Sequence, residues 1–159
     1  MEEIRRIQGN KKALLPLLLD ADPCEAMVDR YLARGEMYVL YVDGKAVCEA
    51  VVTWEGPGRC ELKNLATAPG WRGRGYASRL VRHLAHAYAA HCDVMLVGTS
   101  LAGRGFYRRL GFTDSHVLPG FFCENYPEPI YENGVRCTDM YVLALRLRPG
   151  VDGIRLQQK

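Results

Sequence analysis

The amino-acid sequence predicts an α/β (α+β) fold: a mixed, mostly antiparallel sheet flanked by helices, in the order β-α-α-β-β-β-α-β-α-β-β. Three observations carry this. Residues 36–67 hold three runs rich in β-formers, separated by Asp43-Gly44 and Gly56-Pro57-Gly58, the punctuation of an antiparallel meander. Residues 61–84 read as a strand, a glycine-and-arginine turn and an amphipathic helix in direct succession. The run Val94–Val97 is then short and wholly apolar, as expected of a strand buried beside a parallel neighbour.

Taken in order, Glu3–Gln8 alternates loosely and reads as an edge strand. Asn10 is placed to cap a helix over 11–19, which Pro16 limits or kinks. Asp22-Pro23 is a cap-and-first-turn signal for a second helix over 23–33, ended by Gly35. Strands follow at Glu36–Val42, Lys45–Trp54 and Arg59–Thr67. The helix after the glycine turn runs over 75–90. It sets Ala77, Leu80, Val81, Leu84 and Tyr88 on one face, with Arg79, Arg82, His83 and His86 on the other. Gly98 to Ser100 ends the strand at 94–97, Gly111 stops a short helix over 102–110, and the last strands are Phe112–Phe122 and Asp139–Arg148. Residues 123–137 between them read as a loop, and the segment after Pro149 as a frayed tail.

A chain of 159 residues is most simply one domain with a proper core. Its 25% charged and 48% hydrophobic residues are ordinary globular usage, and a net charge of +3 without a basic run argues against nucleic acid as partner. The six cysteines show no CxxC spacing and read as reduced core thiols; the four histidines have no ligand spacing, so no metal is expected. Glu2, Glu3, Arg5 and Arg6 break any leader-like apolar run, and no stretch approaches membrane-spanning length, so a cytoplasmic protein with no membrane partner is expected.

The turn Arg72-Gly73-Arg74-Gly75-Tyr76-Ala77 is where chemistry is expected. Glycines without Cβ let an anion approach the backbone, the first amides of a helix lack internal partners, and the helix dipole adds partial positive charge. Arg72, Arg74 and Arg79 would thicken that field. A P-loop is excluded, because no Lys-Ser/Thr follows Gly75. A dinucleotide fingerprint is excluded too, because Ser78 stands at its third glycine and Asp93 precedes the next strand rather than following it.

What this turn resembles is the acyl-CoA pyrophosphate loop of the GCN5-related N-acetyltransferase (GNAT) superfamily, with its Arg/Gln-x-x-Gly-x-Gly/Ala motif. Downstream, Gly105-Phe106-Tyr107-Arg108-Arg109-Leu110-Gly111-Phe112 is similar to the family's FYxxLGF segment. The two motifs lie about one strand apart, and the element order matches along nearly the whole chain. The resemblance implies a small bacterial acetyltransferase, a single N-acetyltransferase domain over 1–159 with the GNAT acyl-CoA N-acyltransferase fold. It would use acetyl-CoA as cosubstrate and no metal, act on a small-molecule or peptide amine, and belong to a superfamily in which homodimers are common. Attack would be direct, in a ternary complex.

The resemblance also implies residue roles. Arg72, Gly73, Arg74, Gly75, Tyr76 and Ala77 would anchor the pyrophosphate. Leu65, Ala66 and Thr67 would pair with the pantetheine arm, with the Ala66 region donating to the thioester carbonyl. Tyr107 would protonate the leaving thiolate, a role its phenol suits; packing of a short helix on a sheet is the other reading of Phe106-Tyr107. Glu61, five residues before Ala66, is the candidate base, against a solvated or salt-bridged glutamate at a strand start; Asn64 would order a water beside it. Many family members place an asparagine where Thr99 and Ser100 stand here, and Ser100 is carried as a cofactor contact. Trp54 and Glu55, with Tyr126 and Glu128 (and Tyr131 and Glu132 nearby), would wall the amine pocket, acids beside aromatics suiting a cation; an ordered, proline-stiffened surface loop is the alternative for 123–137. Two rival functions stand beside this one: a non-catalytic acyl-CoA-binding sensor on the same fold, and a basic RNA-binding module, which lacks a stacking motif.

Overall fold

The computed structural model describes residues 1–147. The expected tail and the last residue of the expected final strand lie outside them. The α/β class holds: seven strands, mostly antiparallel, are flanked by helices, and an additional two-stranded ribbon is present. By contact the chain forms two compact units, one of Met1–Thr53 with Leu62–His83, the other of Trp54–Glu61 with the chain from Leu84 onward.

In the first unit the strands lie in the order β1 (Glu2–Ile7), β2 (Glu36–Val42), β3 (Lys45–Trp54), β4 (Arg59–Thr67). β1 and β2 are antiparallel with Ile4 opposite Leu40, and β2 and β3 are antiparallel with Val39 opposite Glu49. Asp43, at φ 49°, and Gly44, at φ 84°, make the tight β2–β3 turn that Asp-Gly favours. The helical connection departs from expectation. Lys11–Leu14 is a single 3₁₀ turn, and α1 starts only at Leu15, because Pro16 needs the first turn, where its missing N–H costs nothing. Asn10 adopts a left-handed conformation without a side-chain cap. The second helix, α2, is only Glu25–Asp29, with Cys24 at its N-cap; Asp22 belongs to the end of α1. Leu18, Val28, Tyr31, Leu32, Met37, Val39 and Val51 form one apolar cluster over which these helices close.

α3 (Tyr76–Tyr88) buries Leu80, Val81, Leu84 and Tyr88 of the predicted face, each no more than 4% exposed, while Ala77 of that face is half-buried. In the second unit the strands run β5 (Val94–Thr99), β9 (Met140–Arg146), β6 (Thr113–Leu118), and both pairings are antiparallel. α4 is Arg104–Arg109. The strand expected over 112–122 ends at Leu118, and Gly120, at φ 68°, turns the chain into a short helix, α5 (Phe121–Asn125). The loop expected over 123–137 contains the ribbon β7 (Tyr131–Glu132) and β8 (Val135–Arg136), joined by Asn133-Gly134 with both residues at positive φ.

Gly35 sits where the chain enters β2, and a Cβ there would lie 2.6 Å from Val51 Cγ1 and 2.9 Å from the Tyr31 carbonyl oxygen. Since the backbone carbonyl cannot give way, Gly35→Ala should lower stability by about 1–3 kcal/mol. Urea unfolding measures this, and an unchanged midpoint would refute the packing given for this corner.

Candidate active site

In the first unit, β4 delivers the chain to a loop whose shape is set by left-handed glycines. Gly70, Gly73 and Gly75 have φ of 86°, 76° and 84°. A Cβ on Gly73 would meet nothing within 4 Å, so it is the backbone conformation that requires glycine there. Ala68 N–H donates to the Val47 carbonyl and Trp71 N–H to that of Ala68, which ties the loop's start to β3. The first bond of α3 runs from Arg79 N–H to the Gly75 carbonyl. The amides of Tyr76, Ala77 and Ser78 are thus first-turn donors of the kind a helix leaves without internal acceptors.

The arginines do less than expected for the field at this turn. Arg72 donates from Nε to the Thr67 carbonyl at 3.0 Å and pairs with the Asp20 carboxylate. Arg79 grips both oxygens of Glu2 and lies 4.6 Å over the Tyr76 ring. Arg74 stacks 5.3 Å from the Trp71 ring. Two of the three charges are therefore met by local carboxylates, and oriented amides are the turn's main offering to an anion.

Along β4, burial alternates: Leu62, Asn64 and Ala66 are buried, while Glu61, Lys63, Leu65 and Thr67 are half-buried. Glu61 and Asn64 consequently face opposite sides, so Asn64 does not order a water beside Glu61 as expected. Its side chain is held inside the first unit. Asn64 Nδ2 donates to the Leu18 carbonyl and to the Tyr31 hydroxyl, each at 3.0 Å, and that hydroxyl donates to Asp22 Oδ2 at 2.8 Å. Burial pushes the Tyr31 phenol well above its ordinary value.

The residue that sequence reasoning missed is Glu49. It is fully buried in β3, and neither carboxylate oxygen has a hydrogen-bond partner; Asn64 Oδ1 has none either. Desolvation raises its pKa well above 4.5. The only signal in the sequence was an acid inside the apolar run AVCEAVV. The neighbouring Cys48 accepts from Thr67 Oγ1 at 3.4 Å, and burial pushes its thiol up to about 11, which suits an inert core thiol.

In the second unit, Tyr107 lies on α4, its ring 5.0 Å from Phe106 and 5.5 Å, edge-on, from Phe112. Ser100 is buried; its hydroxyl accepts from Gly103 N–H and bonds the Glu132 carboxylate, so it braces the turn before α4 and holds the ribbon. Trp54 closes β3 with its ring 5.3 Å from Tyr88, and the Glu55 backbone is bonded to Arg59 at both N–H and carbonyl. These contacts build the β3–β4 turn. Tyr126 follows α5, 5.9 Å from Phe122, and Glu128 is exposed beyond it. Among the described residues, no group of three or more His, Cys, Asp or Glu side chains gathers as a metal would need, and no helix is long and apolar enough to cross a membrane.

Known proteins align with this architecture. A family model described as "Acetyltransferase (GNAT) domain" matches residues 33–114. The "Uncharacterized N-acetyltransferase YvbK" of Bacillus subtilis is 33% identical over 138 residues, covering 84% of this chain and 89% of the relative. A GNAT family acetyltransferase from Elizabethkingia anophelis, solved with acetyl-CoA bound, superposes with a TM-score of 0.86 at 29% identity over 91% of this chain and 97% of the other. A Bacillus subtilis acetyltransferase in complex with CoA gives 0.84 at 30% identity over 93% of this chain and 100% of the other.

Glu49 yields a stability prediction with a definite sign. A carboxyl whose folded-state pKa is raised stabilises fully below its unfolded value. That stability is lost as pH rises from 4.5 through the folded value, because the unfolded chain ionises first. Glu49→Gln cannot ionise. It should therefore raise Tm relative to the wild type at pH 8, by an amount that shrinks to nothing near pH 4. A gap that is constant with pH would contradict the burial assigned to this carboxyl.

Proposed function

Starting from the premise that this chain belongs to the GNAT acetyltransferase family and is an N-acetyltransferase, we propose that it moves the acetyl group of acetyl-CoA to a primary amine by direct attack in a ternary complex, and that residues 1–159 act as one N-acetyltransferase domain. The observation that carries the cosubstrate half of this reading is the turn at 72–77. Left-handed Gly73 and Gly75 open it, and the first amides of α3 follow it. A diphosphate accepts from such amides without side-chain help. Two relatives, one solved with acetyl-CoA bound and one in complex with CoA, support the same cosubstrate.

The reaction has four requirements. The diphosphate is held by the amides of 73–77, with Arg72 bracing the loop through Thr67 and Asp20. The thioester carbonyl is polarised by backbone N–H near Ala66, along the edge that Leu65 to Thr67 offer to the pantetheine arm. The departing thiolate takes a proton from Tyr107, whose phenol is a weaker acid than a thiol. A carboxylate takes the amine proton; Glu61 is the nominee of the motif. Trp54, Glu55, Tyr126 and Glu128 remain the proposed acceptor contacts, though their own packing gives them structural work. Ser100 enters as a brace of α4 rather than as a free donor, since its hydroxyl is engaged by Glu132 and Gly103. The cytoplasm is the compartment this reading assigns. The sensor alternative has no observation in its favour.

Two variants test the reading. Gly75→Val places a β-branched side chain at φ 84° and should weaken acetyl-CoA binding at least about tenfold by calorimetry; unchanged affinity would remove the turn from the site. Tyr107→Phe should lower kcat by about 10²-fold or more in a thiol-release assay over polyamines, amino acids, aminoglycosides and peptides, with acetyl-CoA affinity retained. Full activity would take Tyr107 out of the mechanism.

A further inference from the structure

We propose that Glu49, rather than Glu61, accepts the proton of the attacking amine, an inference that rests on the acetyl-transfer reading above.

Apart from Lys45 at its exposed start, Glu49 is the one charged-type side chain in β3, and every other position from Val47 to Val52 is buried and apolar. It has 0% exposure, and both of its oxygens lack hydrogen-bond partners. A buried acceptor left without a donor is a net cost to folding. Strand formation does not ask for this residue, since a valine here would continue the core without that cost.

Its place in the register points to what it serves. Ala68 N–H meets the Val47 carbonyl and Thr67 Oγ1 meets Cys48 Sγ. The contacts step in opposite directions along the two chains and so continue to Ala66 opposite Glu49. Directly opposed side chains in such a pair have Cβ atoms about 4.5–5.5 Å apart. Ala66 lies in the segment beside which this reading seats the thioester carbonyl, and its side chain is a single methyl group. A nucleophile approaching that carbonyl comes within one side chain of the Glu49 carboxyl.

The other groups on this face narrow the choice. Tyr31, from the turn after α2, donates to Asp22, from the end of α1, and receives from Asn64 of β4. Its phenol is held protonated by burial, and Asp22 already accepts its proton-bearing hydroxyl. Val39 of β2 and Val51 of β3 are apolar. That leaves Glu49 Oε1, Glu49 Oε2 and Asn64 Oδ1, three acceptor oxygens with no donor. Such a set matches a ligand end that brings only N–H donors, which is what a primary amine presents. Glu61, by contrast, is half-buried on the opposite face of β4.

The step balances. The neutral amine nitrogen bonds the thioester carbonyl carbon, one N–H bond breaks, and its proton passes to the Glu49 carboxylate, directly or over one water. The C–S bond breaks, the thiolate leaves with its electron pair and takes the Tyr107 proton. Proton return from Glu49 to Tyr107 through solvent resets the enzyme. Burial raises the Glu49 pKa, which makes its ionised form a stronger base and moves the pH at which it works upward.

Three proteins decide it: wild type, Glu49→Gln and Glu61→Gln, assayed for kcat against pH with the most active amine of the panel and for thermal shift with acetyl-CoA. Glu49→Gln should keep the wild-type acetyl-CoA shift, lose kcat by about 10²-fold or more, and lose the acid limb of the profile, whereas Glu61→Gln keeps that limb. A Glu49→Gln enzyme with wild-type kcat and limb overturns the proposal, as does transfer of both losses to Glu61→Gln. Wild type that binds acetyl-CoA yet acetylates no amine sinks the parent reading, and this one with it. Should Glu49→Gln not fold, Glu49→Asp decides: kcat down about tenfold or more with the limb kept supports the assignment, and unaltered kcat overturns it.

Discussion

One amide side chain organises the first unit. Asn64 donates to the Leu18 carbonyl at the end of α1 and to the Tyr31 hydroxyl after α2, and that hydroxyl reaches Asp22. The apolar contacts that seat these short helices are non-directional and would tolerate sliding. Buried hydrogen bonds would not, because displacing them strands polar groups at about 1–3 kcal/mol each. The network therefore fixes where α1 and α2 lie over β3 and β4, and with them the ceiling above Glu49 and Ala66.

The turn after β4 works on a different principle. Its glycines stand in left-handed conformations that other residues adopt only with strain, so the loop's path is written in the backbone. The surrounding arginines brace it: Arg72 through Thr67 and Asp20, Arg79 through Glu2 and Tyr76, Arg74 on Trp71. On the acetyl-CoA reading proposed above, a turn built in this way would meet a diphosphate through main-chain donors rather than through a particular long side chain.

Legibility varied with the range of the forces. β2, β3 and β4 have the bounds read from their β-formers and turns, because Asp43-Gly44 and Gly56-Pro57-Gly58 act over a few residues. The buried face of α3 followed from its spacing. The helices before β2 came out shorter than their patterns, since Pro16 delays α1 and the chain after Asp29 turns to bring Tyr31 inward. The ribbon at 131–136 was legible in Asn133-Gly134 and was missed, because the prolines around it read as a loop. In the turn at 72–77, Gly73 and Gly75 have the positive φ that a glycine turn implies. Asn64 was found as a residue but placed beside the wrong neighbour, since the two-residue period of β4 sends it and Glu61 to opposite faces.

By itself, the sequence determined what is local: the strand–turn–helix at 61–84, the FYRRLGF segment, the meander, and through them the family. Only the tertiary structure decided which acid lies opposite Ala66, and which polar groups face one another beneath α1 and α2. The physical reason is that a residue's burial, and whether its oxygens find donors, depends on elements far away in sequence. Leu18, Tyr31 and Asn64 span 46 positions along the chain, yet meet in one hydrogen-bonded set. No spacing rule within a strand could have announced that Glu49 would be left beside them with both its oxygens unmet.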